Sequence, residues 1–156
     1  MPNRVKVFLD TRALFAGIWS SEGGGRMVLK LGEAGAVRLL VSPQVLGELE
    51  GALRRKAPQA MGALALILDR SRVEMTDPPP KEAVRDALTL IDHLGDARIL
   101  AAGIVAGADY LITFDKQHFL ENPAVKGAMP FPIGTPGDFL AWYQAQLKTK
   151  NLKSLP

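Results

Sequence analysis

The 156-residue sequence contains no cysteine, so disulfide bonds and thiolate metal sites are excluded, and nothing in it indicates an oxidising compartment. It also lacks any run close to the roughly 18 apolar residues that a membrane-spanning helix needs. The first ten residues, MPNRVKVFLD, have no apolar stretch of the kind found in secretory signals. From these absences we expect a cytoplasmic protein that does not enter a membrane.

The sequence has no strong excess of either charge. Lysine and arginine number 19 against 16 acidic residues, which gives a net charge of +3 and an isoelectric point near 9.3. A mild basic excess favours encounters with RNA or DNA, but proteins with many other partners are equally basic. Apolar residues make up 47% and charged residues 22% of the chain, which is typical of a globular domain. We predict one domain over residues 1–148 and a basic, frayed tail over residues 149–156.

Short β-branched or aromatic runs alternate with helical patterns along the chain. The predicted strands lie at residues 5–10, 37–41, 72–75, 110–114 and 131–133. The glycine-rich residues 20–25 are expected to form a flexible loop, because no GK[ST] sequence follows to make a phosphate-binding loop. Residues 123–136 form a segment rich in proline and glycine that contains the last strand, and a final helix follows. This alternation predicts a Rossmann-like, three-layer α/β/α sandwich with a mainly parallel central sheet.

Four acidic residues fall at comparable places in that pattern. Asp10 and Asp115 end predicted strands, Asp96 begins a helix, and Glu48 lies early in the helix that Ser42 and Pro43 start. All four can reach one edge of the sheet. Because clustered carboxylates repel one another, such a group is costly unless a cation binds there. With no cysteine and only two histidines, the oxygen ligands favour Mg²⁺ or Mn²⁺ over Zn²⁺.

Each acid also has a structural interpretation when it is considered alone. Asp96 suits the positive end of a helix dipole, and Glu48 suits a solvent-exposed helix face. Asp10 and Asp115 are harder to explain in this way, and the four acids together favour a functional site. His118 is expected to be a surface residue near the edge of the sheet.

Several segments of the chain together resemble the PIN-domain family, the metal-dependent ribonucleases that include the VapC-type toxins of toxin–antitoxin pairs. The matching segments are FLDTRALFAGIWSSEGG, LLVSPQVLGELEGAL, GDARILAAGIVAGADYLITFDKQHF and PIGTPGDFL. The resemblance implies catalytic roles for the four acids and metal binding by Asp10, Asp96 and Asp115. It implies that Glu48 binds the metal directly or through water, or acts as a base, and that the hydroxyls of Thr11 and Thr113 assist.

One position departs from the family pattern. The family has asparagine or serine two residues after the first acid, and this chain has Arg12. Three roles are open for this arginine: contact with substrate phosphate, pairing with a carboxylate, or tuning of a nuclease. Arg12 and Lys116 are the candidate substrate-binding residues.

The resemblance implies a metal-dependent endoribonuclease that acts as the toxin of a toxin–antitoxin pair. RNA would be its substrate, an antitoxin its partner, and a homodimer its assembly, with the apolar helix faces within residues 43–69 as interfaces. A second hypothesis is a PIN-like module that binds RNA or a partner without cutting. A third is another α/β protein with an acidic edge. A haloacid-type phosphatase would need an aspartate where Arg12 stands, and a phosphotransfer receiver would need its phosphoacceptor near Asp77, which enters a triple proline.

Overall fold

A five-stranded sheet forms the centre of the protein in a computed structural model that describes residues 4–153, with side chains described through Asn151. Its strands are β1 (Val5–Leu9), β2 (Val37–Val41), β3 (Glu74–Met75), β4 (Tyr110–Ile112) and β5 (Ile133–Gly134). They lie in the order β3-β2-β1-β4-β5, and every neighbouring pair is parallel. The prediction of a mainly parallel sheet is confirmed.

Helices flank the sheet and complete the three-layer α/β/α sandwich that the sequence predicts. The α-helices of the described residues are α1 (Thr11–Trp19), α2 (Gly24–Glu33), α3 (Pro43–Lys56), α4 (Met61–Arg70), α5 (Lys81–Ala87), α6 (Leu94–Val105), α7 (Pro123–Ala128) and α8 (Pro136–Lys153). A 3₁₀ turn, Pro58–Ala60, precedes α4, and a π-helical turn, Lys116–Leu120, follows β4.

The central strand β1 is buried because helices cover both faces of a parallel sheet. Val7, Phe8 and Leu9 are each no more than 2% exposed. The neighbouring strand β4 is equally apolar, and all three of its residues are buried. A rigid pair of central strands therefore fixes the positions of whatever residues follow them.

The functionally important feature of this topology lies between β1 and β4. The chain runs from β1 to β2 and β3 on one side, and then returns to β4 and β5 on the other. In open parallel sheets, ligands bind outside the carboxyl ends of the strands at such a reversal of strand order. Asp10 follows β1 directly, and Thr113 follows β4, so both stand at this point.

Four strand boundaries differ from the sequence prediction. Strand β1 ends at Leu9 rather than at Asp10, which instead caps α1. Strand β4 ends at Ile112 rather than at residue 114, although the Thr113 amide still donates to the Gly134 carbonyl at 2.9 Å. Strand β3 begins at Glu74 rather than at residue 72, since Arg72 has a φ of 56°, outside the extended region. Strand β5 occupies residues 133–134 rather than 131–133.

Helix α7 lies in the segment where the sequence analysis expected irregular structure and a strand. The Asn122 side chain accepts a hydrogen bond from the Val125 amide at 3.2 Å, and Pro123 is the first helical residue. This is the same combination of cap and proline that starts α3, and the proline content of the segment concealed it.

Two helices are longer than the sequence predicts. Helix α2 begins at Gly24, so the predicted loop at residues 20–25 is shorter. Helix α8 continues to Lys153, across the predicted boundary at residue 148, with the Thr149 hydroxyl donating to the Ala145 carbonyl at 3.0 Å. The end of the predicted frayed tail, residues 154–156, lies outside the described residues. None of the helices within residues 4–153 has the length and apolar character to cross a membrane.

Candidate metal centre

Asp10 is the most buried acid of the candidate site. It caps the start of α1, where its Oδ1 accepts from the Ala13 amide at 2.9 Å, and it is 6% exposed. Its Oδ2 accepts a short hydrogen bond from the Thr113 hydroxyl, which is fully buried. Both carboxylate oxygens are therefore held in fixed positions at the carboxyl end of β1.

Thr113 connects Asp10 to the second acid, Asp115. Its hydroxyl donates to Asp10 and accepts from the Asp115 amide at 2.9 Å. Asp115 in turn caps the π-helical turn, with its Oδ1 accepting from the His118 amide at 2.9 Å. The ends of β1 and β4 are thus joined through one threonine side chain.

His118 joins Asp115 to the third acid, Asp96. The Nδ1 atom of His118 lies 3.0 Å from Oδ2 of Asp115 and 3.0 Å from Oδ2 of Asp96. Asp96 lies in the first turn of α6. All three side chains are partly buried, with exposures of 15% for Asp96, 24% for Asp115 and 27% for His118.

His93 also contacts Asp96 and is more exposed, at 58%. Its Nδ1 lies 3.2 Å from the Asp96 amide, which can donate to it, and 3.0 Å from Oδ2 of Asp96. That nitrogen can accept from the amide or donate to the carboxylate, but not both at once. The rings of His93 and His118 stack with their centroids 5.2 Å apart.

Glu48 reaches the site from α3 and is exposed. Its Oε2 accepts from the Thr11 hydroxyl at 2.6 Å, and its Oε1 accepts from Gln44 Nε2 at 2.9 Å. Gln44 also donates to the Gly95 carbonyl at 3.1 Å, so it ties α3 to the first turn of α6. The fourth acid is therefore oriented by two side chains rather than left free in solvent.

All four predicted acids line one hollow of about 470 Å³, which we call the acid cleft. Its walls also carry three cations, Arg12, Arg55 and Lys56. Arg12 makes no salt bridge with a carboxylate among the side chains of residues 4–151, and its three predicted roles stay predictions. Lys116 is exposed and does not line the cleft.

The acids of the cleft influence one another electrostatically. Burial, together with the charges of Asp115 and Asp96, raises the pKa of Asp10 to about 6 against the lowering effect of hydrogen bonds from Thr113 and Ala13. Burial and the charge of Asp115 also raise the pKa of Asp96, despite His93 and His118 nearby. The site therefore resists holding all of its carboxylates ionised at once.

Asp115 is the exception. Burial acts to raise its pKa, but the hydrogen bonds from the His118 amide and ring outweigh it and, with the charges of His118 and Arg12, leave the pKa of Asp115 below its usual value. The hydrogen bond to Asp115 raises the pKa of His118 for the same reason. Arg12 thus acts on Asp115 through space, without touching it.

These donors fit a divalent cation. Asp96, Asp115 and His118 each offer one ligand atom, and those atoms all lie within 4.8 Å of one another. A cation among them would offset the mutual repulsion that raises the pKa values of Asp10 and Asp96. Asp10 and Glu48 line the same cleft but stand outside this group of three.

The model of the PIN domain family matches residues 6–117. The chain belongs to the PIN-domain family. The match includes most of β1 and the segments that carry all four acids, so the family predicted from the sequence is confirmed. No curated protein sequence matches closely enough to be counted as a relative.

Three solved structures resemble this PIN domain in fold. VapBC2 from Rickettsia felis, bound to a DNA fragment from its promoter, has a TM-score of 0.61 at 20% identity, covering 83% of this chain and 98% of that one. PAE2754 from Pyrobaculum aerophilum has a TM-score of 0.60 at 17% identity, covering 90% and 96%. VapC20 from Mycobacterium tuberculosis, a toxin that cleaves the sarcin–ricin loop, has a TM-score of 0.50 at 21% identity, covering 71% and 91%.

A second hollow of the PIN domain lies beside the acid cleft. This basic pocket, of about 520 Å³, is lined by Lys81, Arg85, Arg98 and mainly apolar side chains that include Leu88 and Leu94. None of the three cations forms an ion pair within residues 4–153. Gln44 lines this pocket while it donates to Glu48 of the acid cleft, so its side chain stands between the two hollows.

The sequence analysis missed the two histidines and Gln44 as parts of the site. His118 was expected at the surface, but it contacts both Asp96 and Asp115. Each histidine lies three residues from an acid, His93 before Asp96 and His118 after Asp115. At a helix start that spacing brings two side chains together, and it was the available signal.

Proposed function

We propose that this PIN domain is a divalent-metal-dependent endoribonuclease that hydrolyses RNA phosphodiesters in the cytoplasm, and that it is the toxin of a toxin–antitoxin pair. The acid cleft supports this proposal most. Carboxylates that can hold a cation lie in the same hollow as Arg12, Arg55 and Lys56, which can bind phosphate. A phosphodiester needs both kinds of group, because its charge must be neutralised while water attacks the phosphorus.

Asp10, Asp96 and Asp115 are the proposed metal ligands. The bound ion, Mg²⁺ or Mn²⁺, would stabilise charge on the phosphate and lower the pKa of the attacking water. Thr113 supports this arrangement by holding Asp10 and the Asp115 backbone together. The ligands are thus positioned before any ion arrives, which preorganises the site.

Glu48 and Thr11 form the second part of the proposed machinery. Glu48 would bind the ion directly or through a water molecule, or accept the proton of the attacking water. The hydrogen bonds from Thr11 and Gln44 keep its carboxylate at the cleft.

The cations of the cleft are the proposed contacts to RNA. Arg55 and Lys56 lie at the end of α3, two turns after Glu48 on the same helix, and Arg12 lies on α1. Lys116 does not line the cleft, so we place it as a contact to RNA beyond the reacting phosphate.

Cleavage of single-stranded RNA by the purified chain tests this function. Activity should appear with Mg²⁺ or Mn²⁺, stop with chelator, and fall by at least about a hundredfold in Asp10→Asn and Asp96→Asn. Asp109→Asn is a matched control, because Asp109 is an exposed aspartate outside the cleft whose Oδ2 accepts from the Lys6 amide at 2.8 Å. Unchanged cleavage after loss of Asp10 or Asp96 would exclude the mechanism.

A binding module that does not cut RNA is the second candidate, because Arg12 replaces the asparagine or serine of the family pattern. Calorimetric titration with Mn²⁺ separates the two candidates. A nuclease should bind the ion with the acids intact and lose that binding in Asp96→Asn. A protein that binds RNA but takes up no divalent ion would support the binding module.

The partners are tested separately. A toxin should arrest growth when it is expressed alone, and the product of a short neighbouring reading frame should bind it and restore growth. The structural resemblance to VapBC2 supports this arrangement. The proposed homodimer should appear at twice the 16.8 kDa mass in light scattering, and substitutions on the apolar faces within residues 43–69 should dissociate it.

A further inference from the structure

His118 occupies a position in the acid cleft that a hydrogen-bonding role alone does not require. Its Nδ1 atom lies at the same distance, 3.0 Å, from one oxygen of Asp96 and one oxygen of Asp115. Within residues 4–153, these three side chains form the one group of potential ligand atoms that all approach one another within 4.8 Å. The His118 imidazole therefore belongs to the same group of potential metal ligands as the Asp96 and Asp115 carboxylates.

The spacing of these atoms suits a single ion. Two ligands at right angles, each about 2.1 Å from an ion, lie about 3.0 Å apart. Both nitrogen-to-oxygen distances have this value. The same distance suits a hydrogen bond, so the experiment must separate a ligand from a hydrogen-bond donor.

The backbone and the ring of His118 are each restrained independently of any ion. The His118 amide donates to Asp115 Oδ1 at 2.9 Å and its carbonyl accepts from Asn122 Nδ2 at 3.1 Å, which fixes the backbone, while the ring stacks on His93. A residue restrained in this way loses less conformational freedom on binding an ion.

We propose that His118 is a nitrogen ligand to the ion held by Asp96 and Asp115, and that the site therefore prefers Mn²⁺ or a later first-row ion to Mg²⁺. This inference rests on the proposed function and specifies its cofactor. Magnesium takes oxygen ligands almost entirely, whereas imidazole favours transition metals. A site made of three carboxylates alone would discriminate much less between Mg²⁺ and Mn²⁺.

The test uses the fact that the chain has only two histidines. The untagged protein is loaded with Mn²⁺, and electron spin echo spectroscopy detects nitrogen bonded to the ion. We expect nitrogen modulation in the native protein and in His93→Gln, and its loss in His118→Gln. His93 is the matched control because its Nδ1 also lies 3.0 Å from Asp96, but it is outside the group of three ligands.

Calorimetry supplies the second readout. In His118→Gln the carbonyl oxygen of glutamine can replace the nitrogen, so Mn²⁺ affinity should fall by about tenfold or more while Mg²⁺ affinity changes little. An unchanged ratio of the two affinities would overturn the inference. So would absence of nitrogen modulation in the native protein or in His93→Gln, and this result does not depend on whether His118→Gln folds.

These measurements need no RNA, so the inference and the proposed function can fail separately. Nitrogen bound to Mn²⁺ in a protein that cuts no RNA would support His118 as a metal ligand and contradict the proposed nuclease function. Metal-dependent cleavage without nitrogen bound to the ion would support the nuclease function and contradict His118 as a ligand.

Discussion

The acid cleft and the basic pocket lie side by side, separated by Gln44, and they are built in opposite ways. The acid cleft brings four carboxylates together, and one of them, Asp10, is nearly buried. The basic pocket is lined mainly by apolar side chains, and its cations Lys81, Arg85 and Arg98 are all exposed. The acid cleft therefore holds a charged group inside the protein, whereas the charged groups of the basic pocket are exposed to solvent.

This difference has an energetic consequence. Exposed cations cost the folded state little, because solvent screens them. Asp10 is different, since burial and neighbouring acids disfavour its ionised form. The ionised acids of the cleft therefore reduce the stability of the fold, and groups whose pKa values are shifted in this way concentrate at functional sites.

The largest expected effect on stability is an increase, in Asp10→Asn. The pKa of Asp10 rises from 3.8 to about 6 on folding, so the folded state holds this proton more tightly than the unfolded state. The contribution of Asp10 to the free energy of unfolding is therefore fully present below pH 3.8 and is lost as the pH rises through about 6. The shift of about two pH units corresponds to about 3 kcal/mol. Asparagine keeps the shape without the charge, so the free energy of unfolding should rise by up to that amount at pH 7.5.

Denaturant unfolding in the presence of chelator, at pH 4 and at pH 7.5, measures this effect. The gain of Asp10→Asn over the native protein should be small at pH 4 and large at pH 7.5. Asp109→Asn should show no comparable difference. A variant that is less stable than the native protein at pH 7.5 would mean that the charge of Asp10 is compensated, and the contrast between the two hollows would fail.

The next effect is a loss of stability in Thr113→Val. This change removes the hydroxyl that donates to Asp10 and accepts from the Asp115 amide. A buried carboxylate without its partner costs about 2 kcal/mol, and the pKa of Asp10 should rise further because that hydrogen bond lowers it. Thermal unfolding measures the loss.

Thr11→Val is the matched control for Thr113→Val. The Thr11 hydroxyl also donates to an acid, but that acid, Glu48, is exposed. We expect a loss within about 0.5 kcal/mol. Equal losses in the two variants would show that burial of the acid is not what matters.

A smaller effect is expected in Gln44→Ala, which removes the side chain between the two hollows. It breaks the hydrogen bonds to Glu48 and to the Gly95 carbonyl, at a cost of about 1 kcal/mol. Cleavage should also fall, because Glu48 keeps only the bond from Thr11. If kcat is unchanged, Glu48 does not need this orientation.

The fold could be predicted from sequence because strand and helix patterns alternate clearly and the acids follow apolar strands. The strand at 37–41 was predicted with the bounds that the structure shows, and the first strand, predicted at 5–10, ends one residue earlier at Leu9. The helix after Asn122 was not, because prolines and glycines obscured a short helix whose capping signal was present.

The candidate site could be predicted only in part. Strand ends and helix starts brought Asp10, Glu48, Asp96 and Asp115 to one cleft. The role of His118 could not be read from periodicity, because a π-helical turn, in which the Leu120 amide bonds the Asp115 carbonyl at 3.0 Å, determines where its ring lies. The basic pocket combines residues of α3, α5 and α6 with Pro78 and Pro79, so no single stretch of sequence predicts it.

The smallest expected effect compares pairs of cations from the two hollows. Arg55→Gln/Lys56→Gln removes positive charge beside the carboxylates, where the reacting phosphate would bind. Arg85→Gln/Arg98→Gln removes the same charge from the basic pocket. All four residues are exposed, so neither double variant should change the free energy of unfolding by more than about 0.5 kcal/mol.

Binding of an uncleaved single-stranded RNA, measured over a range of salt concentrations, should distinguish the two double variants. The first pair should lower affinity several-fold and reduce the salt dependence by roughly one to two phosphate contacts. The second pair should have less effect, because neither Arg85 nor Arg98 is among the proposed contacts to RNA. Equal losses would show that RNA responds to overall charge and that the two hollows do not differ in function.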